Sequence, residues 1–281
     1  MLVTMKEILE RAKEGGYAVL APSMQCEGHM KMAVRAAEKV KSPIILNHRY
    51  DRFDDDFYRY AQIARQLAHE ASVPVAINQD HGITIEQNMW AIRSGYTSVM
   101  VDRQTYPLEE NIRLVAEMTK FAHAVGVTVE SELGEAHWGD LKEVEEGKTN
   151  PDEVSRFVNE TGIDCLAVCI GNTNSMTTPK DQLGVHLDID LLGRIEEKTD
   201  VPLVLHGGSG VPVEEMKEAT RNHRICKVNV GSDFRLHSRD FILNYLNENE
   251  RQLDWWRLFD QGYQERMFEK MEIFGSVGKA W

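Results

Sequence analysis

The chain has 281 residues, with 45 acidic and 32 basic side chains and a formal net charge of −13. At about 150 residues per domain, that length admits two ordinary domains or one large α/β barrel. The charge argues against nucleic acid and anionic membrane surfaces as partners, because either polyanion repels the molecule as a whole. It leaves room for a locally basic pocket that takes a small anion.

Hydrophobic residues make up 42% and charged residues 27%, a balance that supports a sizeable core. Four cysteines do not form a disulfide framework. Cys165 and Cys169 share an apolar run and Cys226 opens another, so they read as reduced, buried hydrophobes. The first residues lack a basic stretch followed by an apolar segment, and no apolar run approaches the ~18 residues that span a bilayer. A cytoplasmic location is the expectation.

In chain order, Met1–Gly15 reads as a helix ahead of the first strand, with Thr4 and Glu7 spaced as a capping box. Short, β-rich apolar runs follow at Ala18–Met24, Pro43–Arg49, Pro74–Asp80, Ser98–Arg103, Thr128–Gly134, Cys165–Gly171, Pro202–Gly208 and Cys226–Asp233. Their near-continuous hydrophobicity marks strands covered on both faces, as parallel strands are. Ala61–Ala71 and Glu109–Val125 repeat apolar residues at helical spacing. Pro151-Asp-Glu opens another helix with proline and acids where the dipole favours them. Leu253–Phe274 is a further helix after the eighth strand. Eight strand–helix alternations predict a single (β/α)8 TIM barrel over residues 1–281, with an extra N-terminal helix and a C-terminal extension from about residue 250. A doubly wound open sheet in two domains is the alternative. The long connections Glu135–Asn150 and Asn172–His186 both follow strands and have the length of lids.

The strand ends collect polar residues: Ser23, His48 and Arg49, Asp80 and His81, Asp102 and Arg103, Glu132, Asn174, His206, and Asn229 to Asp233. Solubility does not require polar groups at the carboxyl ends of buried strands, whereas barrel catalysis does. His81 and His206 end the third and seventh strands and, with Glu132, make a divalent-metal site suited to zinc and similar ions. His206-Gly-Gly-Ser-Gly210 and Asn229-Val-Gly-Ser-Asp233 supply backbone N–H and hydroxyl donors after strands seven and eight, where barrels commonly hold a phosphate.

Taken with Asp80-His-Gly, Gly95-Tyr-Thr-Ser-Val-Met, Glu132-Leu-Gly, Val201-Pro-Leu-Val-Leu-His-Gly-Gly-Ser-Gly and Lys227-Val-Asn-Val, these motifs resemble the metal-dependent class II ketose-bisphosphate aldolases nearly end to end. The resemblance implies a TIM barrel and an aldolase-type lyase of phosphorylated ketoses that yields dihydroxyacetone phosphate. It implies His81 and His206 as ligands of a divalent metal, Zn2+ foremost, with Glu132 and Asp102 nearby. It implies Asp80 as the acid/base on the aldol hydroxyl, and Asp140 or Glu143 as the loop acid that moves the carbon-bound proton. Gly207, Gly208, Ser209, Asn229, Val230, Gly231 and Ser232 would hold the substrate. The family also implies a homo-oligomer, a dimer or tetramer.

The chain departs from the family pattern at several positions. The third metal histidine corresponds to Asn174, and the next glycine to Ser175; His186 lies in the same connection. Ser23 stands for a strand-one asparagine, and Arg49 for a strand-two serine. Arg49 and Arg103 are open to two readings. One is planar recognition of an extra anionic group on an acidic or sulfonated sugar; the other is pairing with Asp102, Asp51 or Glu132. Two further functions stay open: an isomerase or epimerase using the same enediolate, and a non-catalytic sugar-phosphate-binding paralogue.

Overall fold

Thr4 Oγ1 accepts a hydrogen bond from Glu7 N at 3.2 Å and starts helix α1 (Met5–Gly15). Gly16 ends that helix in the left-handed conformation, φ 62°, which favours glycine. This computed structural model describes residues 1–49, 55–135, 141–173, 186–248 and 255–281.

The strands are β1 (Val19–Pro22), β2 (Ile44–Arg49), β3 (Val75–Gly82), β4 (Ser98–Val101), β5 (Thr128–Leu133), β6 (Cys165–Val168), β7 (Leu203–Leu205) and β8 (Ile225–Val230). Helices run between them: α2 (Glu27–Val40), α3 (Asp55–Glu70), α4 (Ile85–Ser94), α5 (Leu108–Ala124), α6 (Leu141–Glu146), α7 (Pro151–Thr161), α8 (Ile189–Glu196) and α9 (Val213–Lys217). Two more follow the last strand, α10 (Ser232–Glu248) and α11 (Trp255–Ile273). All strand pairs are parallel, in the order β1-β8-β7-β6-β5-β4-β3-β2. A parallel bridge between Ser23 and Asn47 brings β1 back to β2, with Met24 N donating to the Asn47 carbonyl at 2.8 Å. The fold is the predicted (β/α)8 barrel.

Alternate strand residues face opposite sides, and the interior they line is layered. At the bottom, Val19, Ala21, Ile45, Ala76, Ala167 and Val204 form one apolar cluster with Met5, Ile8, Leu9 and Ala12 of α1. The first helix is therefore a plug, which accounts for its apolar stripe. A larger cluster packs the strands against the outer helices. Above the plug the interior turns polar. Asn78 Nδ2 donates to Asn47 Oδ1 at 2.7 Å, Ser98 Oγ donates to Asn78 Oδ1 at 2.7 Å, and Lys227 Nζ meets Glu130 Oε2 at 2.6 Å. The functional residues sit on top of this layer.

The C-terminal extension packs on its own barrel. Tyr263, Met267, Met271 and Phe274 are buried, and His29 of α2 stacks on Tyr263 with ring centroids 4.9 Å apart. Asp233, just inside α10, anchors α11 through Lys270 Nζ (2.7 Å) and Arg266 Nη2 (2.9 Å). Among the described residues, no helix is long and apolar enough to cross a membrane.

Candidate active site

Strands β3, β5 and β7 each end on a group with a lone pair to offer, and the barrel brings three of these together. His81, Glu132 and His206 place ligand atoms within 4.8 Å of one another. The two imidazole rings meet edge to face, their centroids 5.1 Å apart.

Each imidazole is fixed from behind. His81 Nδ1 lies 2.7 Å from Asp102 Oδ2, which leaves Nε2 for the cavity. His206 Nε2 lies 2.9 Å from Glu130 Oε1, which leaves Nδ1. That Nδ1 is buried and has no hydrogen-bond partner; Glu132 Oε2, at 3.7 Å, is too distant to be one. A buried lone pair left bare costs about 1–3 kcal/mol, and a cation at this point would satisfy it. His81 also adopts φ 50°, a strained left-handed backbone for a side-chain-bearing residue. Glu132 is held by the Cys169 thiol at 3.2 Å; with the Gln104 amide turned nitrogen-first, as its neighbours require, that nitrogen donates to the other oxygen at 3.2 Å.

The electrostatics match. Burial alone would depress His81, yet Asp80, Asp102 and Glu132 outweigh it and raise its pKa to about 9. Burial holds the Glu132 carboxyl above its usual range. Around the two rings, the described residues place the carboxylates Asp80, Asp102, Glu130 and Glu132 and the ammonium of Lys227. A cluster that negative retains a proton on its imidazole, and a divalent ion suits it better. Two imidazoles and a carboxylate, each oriented by an outer partner, are a donor set that fits a divalent metal.

Asp80 is buried beside this set and accepts from Asn229 Nδ2 at 3.2 Å. Burial pushes its pKa up, but the nearby His81, His206 and Lys227 bring it down to about 2. The loops after β7 and β8 are tied at Ser209, whose Oγ accepts from the N–H groups of Gly231 (3.3 Å) and Asp233 (3.2 Å). Gly208 N donates to the Asn229 carbonyl at 2.9 Å. A Cβ on Gly231 would come within 3.0 Å of Ser23 Oγ, so Ser23 lies against this loop. Ser23 N also donates to the Val230 carbonyl, and Ser232 Oγ accepts from Arg235.

Arg49 ends β2 in register with Asp80 and is exposed. Arg103 is buried; its guanidinium donates to the carbonyls of Gly82 and Asp102, both at 2.7 Å, and so meets the backbone rather than an acid side chain. Glu143 is exposed on α6. His186 is exposed too and pairs with Glu215 of α9 at 2.5 Å; it is not among the grouped ligand atoms of His81, Glu132 and His206. Asp140, Asn174 and Ser175 lie outside the described residues. Sequence reasoning missed Glu130, Gln104 and Cys169, and assigned Lys227 no role. The signal for Glu130 and Lys227 was present, as charges inside otherwise apolar strands.

Comparison with known proteins agrees with this geometry. A family model described as "Fructose-bisphosphate aldolase class-II" matches residues 3–279. The fructose-bisphosphate aldolase of Thermus caldophilus is 35% identical over all of both chains, and that of Geobacillus stearothermophilus is 34% identical over 99% of each. Among solved structures, the YdjI aldolase of Escherichia coli K12 superposes with a TM-score of 0.84 at 32% identity over all of both chains. A putative fructose-1,6-biphosphate aldolase from Coccidioides immitis gives 0.82 at 28% identity, covering 98% of this chain and 97% of its own. Barrel, site and similarity over the whole length agree: the chain belongs to the class II fructose-bisphosphate aldolase family.

Proposed function

We propose that this chain is a metal-dependent aldolase-type lyase that breaks or forms a carbon–carbon bond in a phosphorylated ketose, with dihydroxyacetone phosphate as one product. One observation carries the reading. His206, whose Nδ1 is bare, offers a ligand atom within 4.8 Å of ligand atoms on His81 and Glu132, beside an ionised Asp80.

His81, His206 and Glu132 would hold the cation, and their chemistry suits Zn2+. Once bound, it supplies positive charge that polarises the ketone and stabilises the enediolate left by cleavage, so no Schiff-base lysine is needed. Asp80 takes the proton from the hydroxyl whose carbon becomes the aldehyde. Asn229 steadies Asp80 through Nδ2, and its buried, unpartnered Oδ1 accepts from a substrate hydroxyl. Gly207, Gly208, Ser209 and the Asn229–Ser232 stretch offer N–H and hydroxyl donors to the phosphate. Ser209 Oγ releases the Gly231 and Asp233 N–H groups as that anion arrives. Ser23 shapes the floor of this loop, and Arg49 at the mouth recognises a further anionic group of the sugar. Asp140 after β5, or Glu143 on α6, returns the proton to the enediolate carbon.

The test is chelator treatment followed by product analysis. Activity lost in EDTA and restored by Zn2+, with two smaller carbonyl compounds formed, is the expected result. Cleavage that survives chelation, or an isomerised sugar of unchanged carbon number, overturns the reading.

A further inference from the structure

Beneath the site lies an ion pair that touches neither substrate nor cation in the chemistry above. Glu130 of β5 and Lys227 of β8 are both completely buried, with Nζ 2.6 Å from Oε2. The desolvation cost of such a pair commonly exceeds its mutual attraction, so well-packed apolar residues in its place are often as stable or more so. This barrel fills its interior with apolar residues one layer lower. Stability therefore gives a weak reason for the pair.

The neighbour supplies a better one. The second oxygen of Glu130 lies 2.9 Å from His206 Nε2. A carboxylate paired with an ammonium only accepts, so Nε2 is the nitrogen that donates to Glu130 and Nδ1 is the one turned to the site. Nδ1 is the buried nitrogen without a partner. Glu130 and Glu132 lie two residues apart on the same face of β5. Lys227 occupies the Glu130 oxygen that Nε2 leaves open, so that of these two carboxylates Glu132 is the one left to the cation. We propose that the Glu130–Lys227 pair is a positioning device for His206: Glu130 fixes the tautomer and orientation of the ring, and Lys227 neutralises the remaining oxygen of Glu130. The proposal rests on the metal site above.

The experiment compares Zn2+ affinity, measured on chelator-stripped protein by competition with a chromophoric chelator, with thermal stability. The double variant Glu130→Leu/Lys227→Met removes both charges together, so no buried charge is left unpaired and the fold loses only the partner of His206 Nε2, a small drop in melting temperature. Its Zn2+ affinity should fall by about 10- to 100-fold, the usual effect of losing the outer partner of a ligating histidine. Unchanged affinity in a folded double variant overturns the positioning role. Should that variant not fold, Glu130→Gln keeps the volume but no longer dictates the tautomer. A loss of about tenfold then supports the proposal, and wild-type affinity overturns it. Wild-type protein that binds no Zn2+ overturns the metal site itself, a result distinct from equal binding by wild type and variant.

Discussion

Asn229 Nδ2 and Asp80 Oδ1, 3.2 Å apart, join the ends of β8 and β3 across the barrel mouth. With Asp80 held at a pKa of about 2 against the effect of burial, the carboxylate is ionised throughout the working range. Asp80→Ala should therefore leave the barrel folded and lower kcat by about 10²–10⁴, as expected for losing a positioned proton carrier. Turnover and melting temperature measured on the same preparation check this. Near-normal turnover would remove Asp80 from the reaction.

Arg103 separates a substrate role from a structural one. Its guanidinium is buried and spends its bonds on two backbone carbonyls, at Gly82 and Asp102. Arg103→Met takes that donor from both carbonyls; Gly82 keeps the Asp102 N–H at 3.1 Å, so the Asp102 carbonyl is the one left bare, and the protein should lose about 1–3 kcal/mol. KM in the protein that remains folded should be unchanged. A raised KM at wild-type stability would restore Arg103 to substrate recognition.

The barrel and its mouth were legible in the sequence because both obey local rules. Buried parallel strands run nearly without interruption in apolar residues, the Thr4 cap opens α1 at the expected place, and polar groups gather at strand ends. What was not legible depends on closure. Thr128-Val-Glu-Ser-Glu-Leu alternates like a half-exposed strand, and only a closed barrel turns the Glu130 side into an interior that must be satisfied by Lys227 and His206. Arg103 was ambiguous for a related reason. Pairing between β3 and β4 shifts register between Gln79 and Gly82, and that irregularity places the Gly82 carbonyl within reach of the guanidinium. His81 owes its position to a positive φ that composition does not announce.

Gly208 tests the phosphate loop. A Cβ there would sit 2.4 Å from Val228 Cγ1 and 3.2 Å from the Asn229 carbonyl oxygen. Val228 is buried and β-branched, so it cannot rotate away at low cost. Gly208→Ala should push β7 and β8 apart at a cost of about 1–3 kcal/mol. The displaced donors should raise KM for the phosphorylated substrate more than they lower kcat. Calorimetry and steady-state kinetics measure both, and a variant with wild-type melting and KM would show that the loops tolerate a side chain.

His48 sets an acid limit on stability. It is buried on β2, with Nδ1 2.5 Å from the Tyr96 hydroxyl and its ring stacked on Phe57. Burial lowers its pKa from 6.5 to about 4, and the nearby Asp80 only partly opposes this. Above pH 6.5 folded and unfolded chains both carry a neutral imidazole, so the group adds no pH dependence. Between pH 6.5 and 4 the unfolded chain takes up a proton that the folded chain refuses, and stability falls as pH falls. At 1.36 kcal/mol per pH unit the loss approaches about 3 kcal/mol by pH 4. His48→Asn removes this titration, so a variant less stable than wild type at pH 7.5 should close much of the gap by pH 4.5. Urea unfolding at several pH values measures the difference. A gap that stays constant across that range would mean that His48 titrates alike in both states, and that its burial does not keep it neutral.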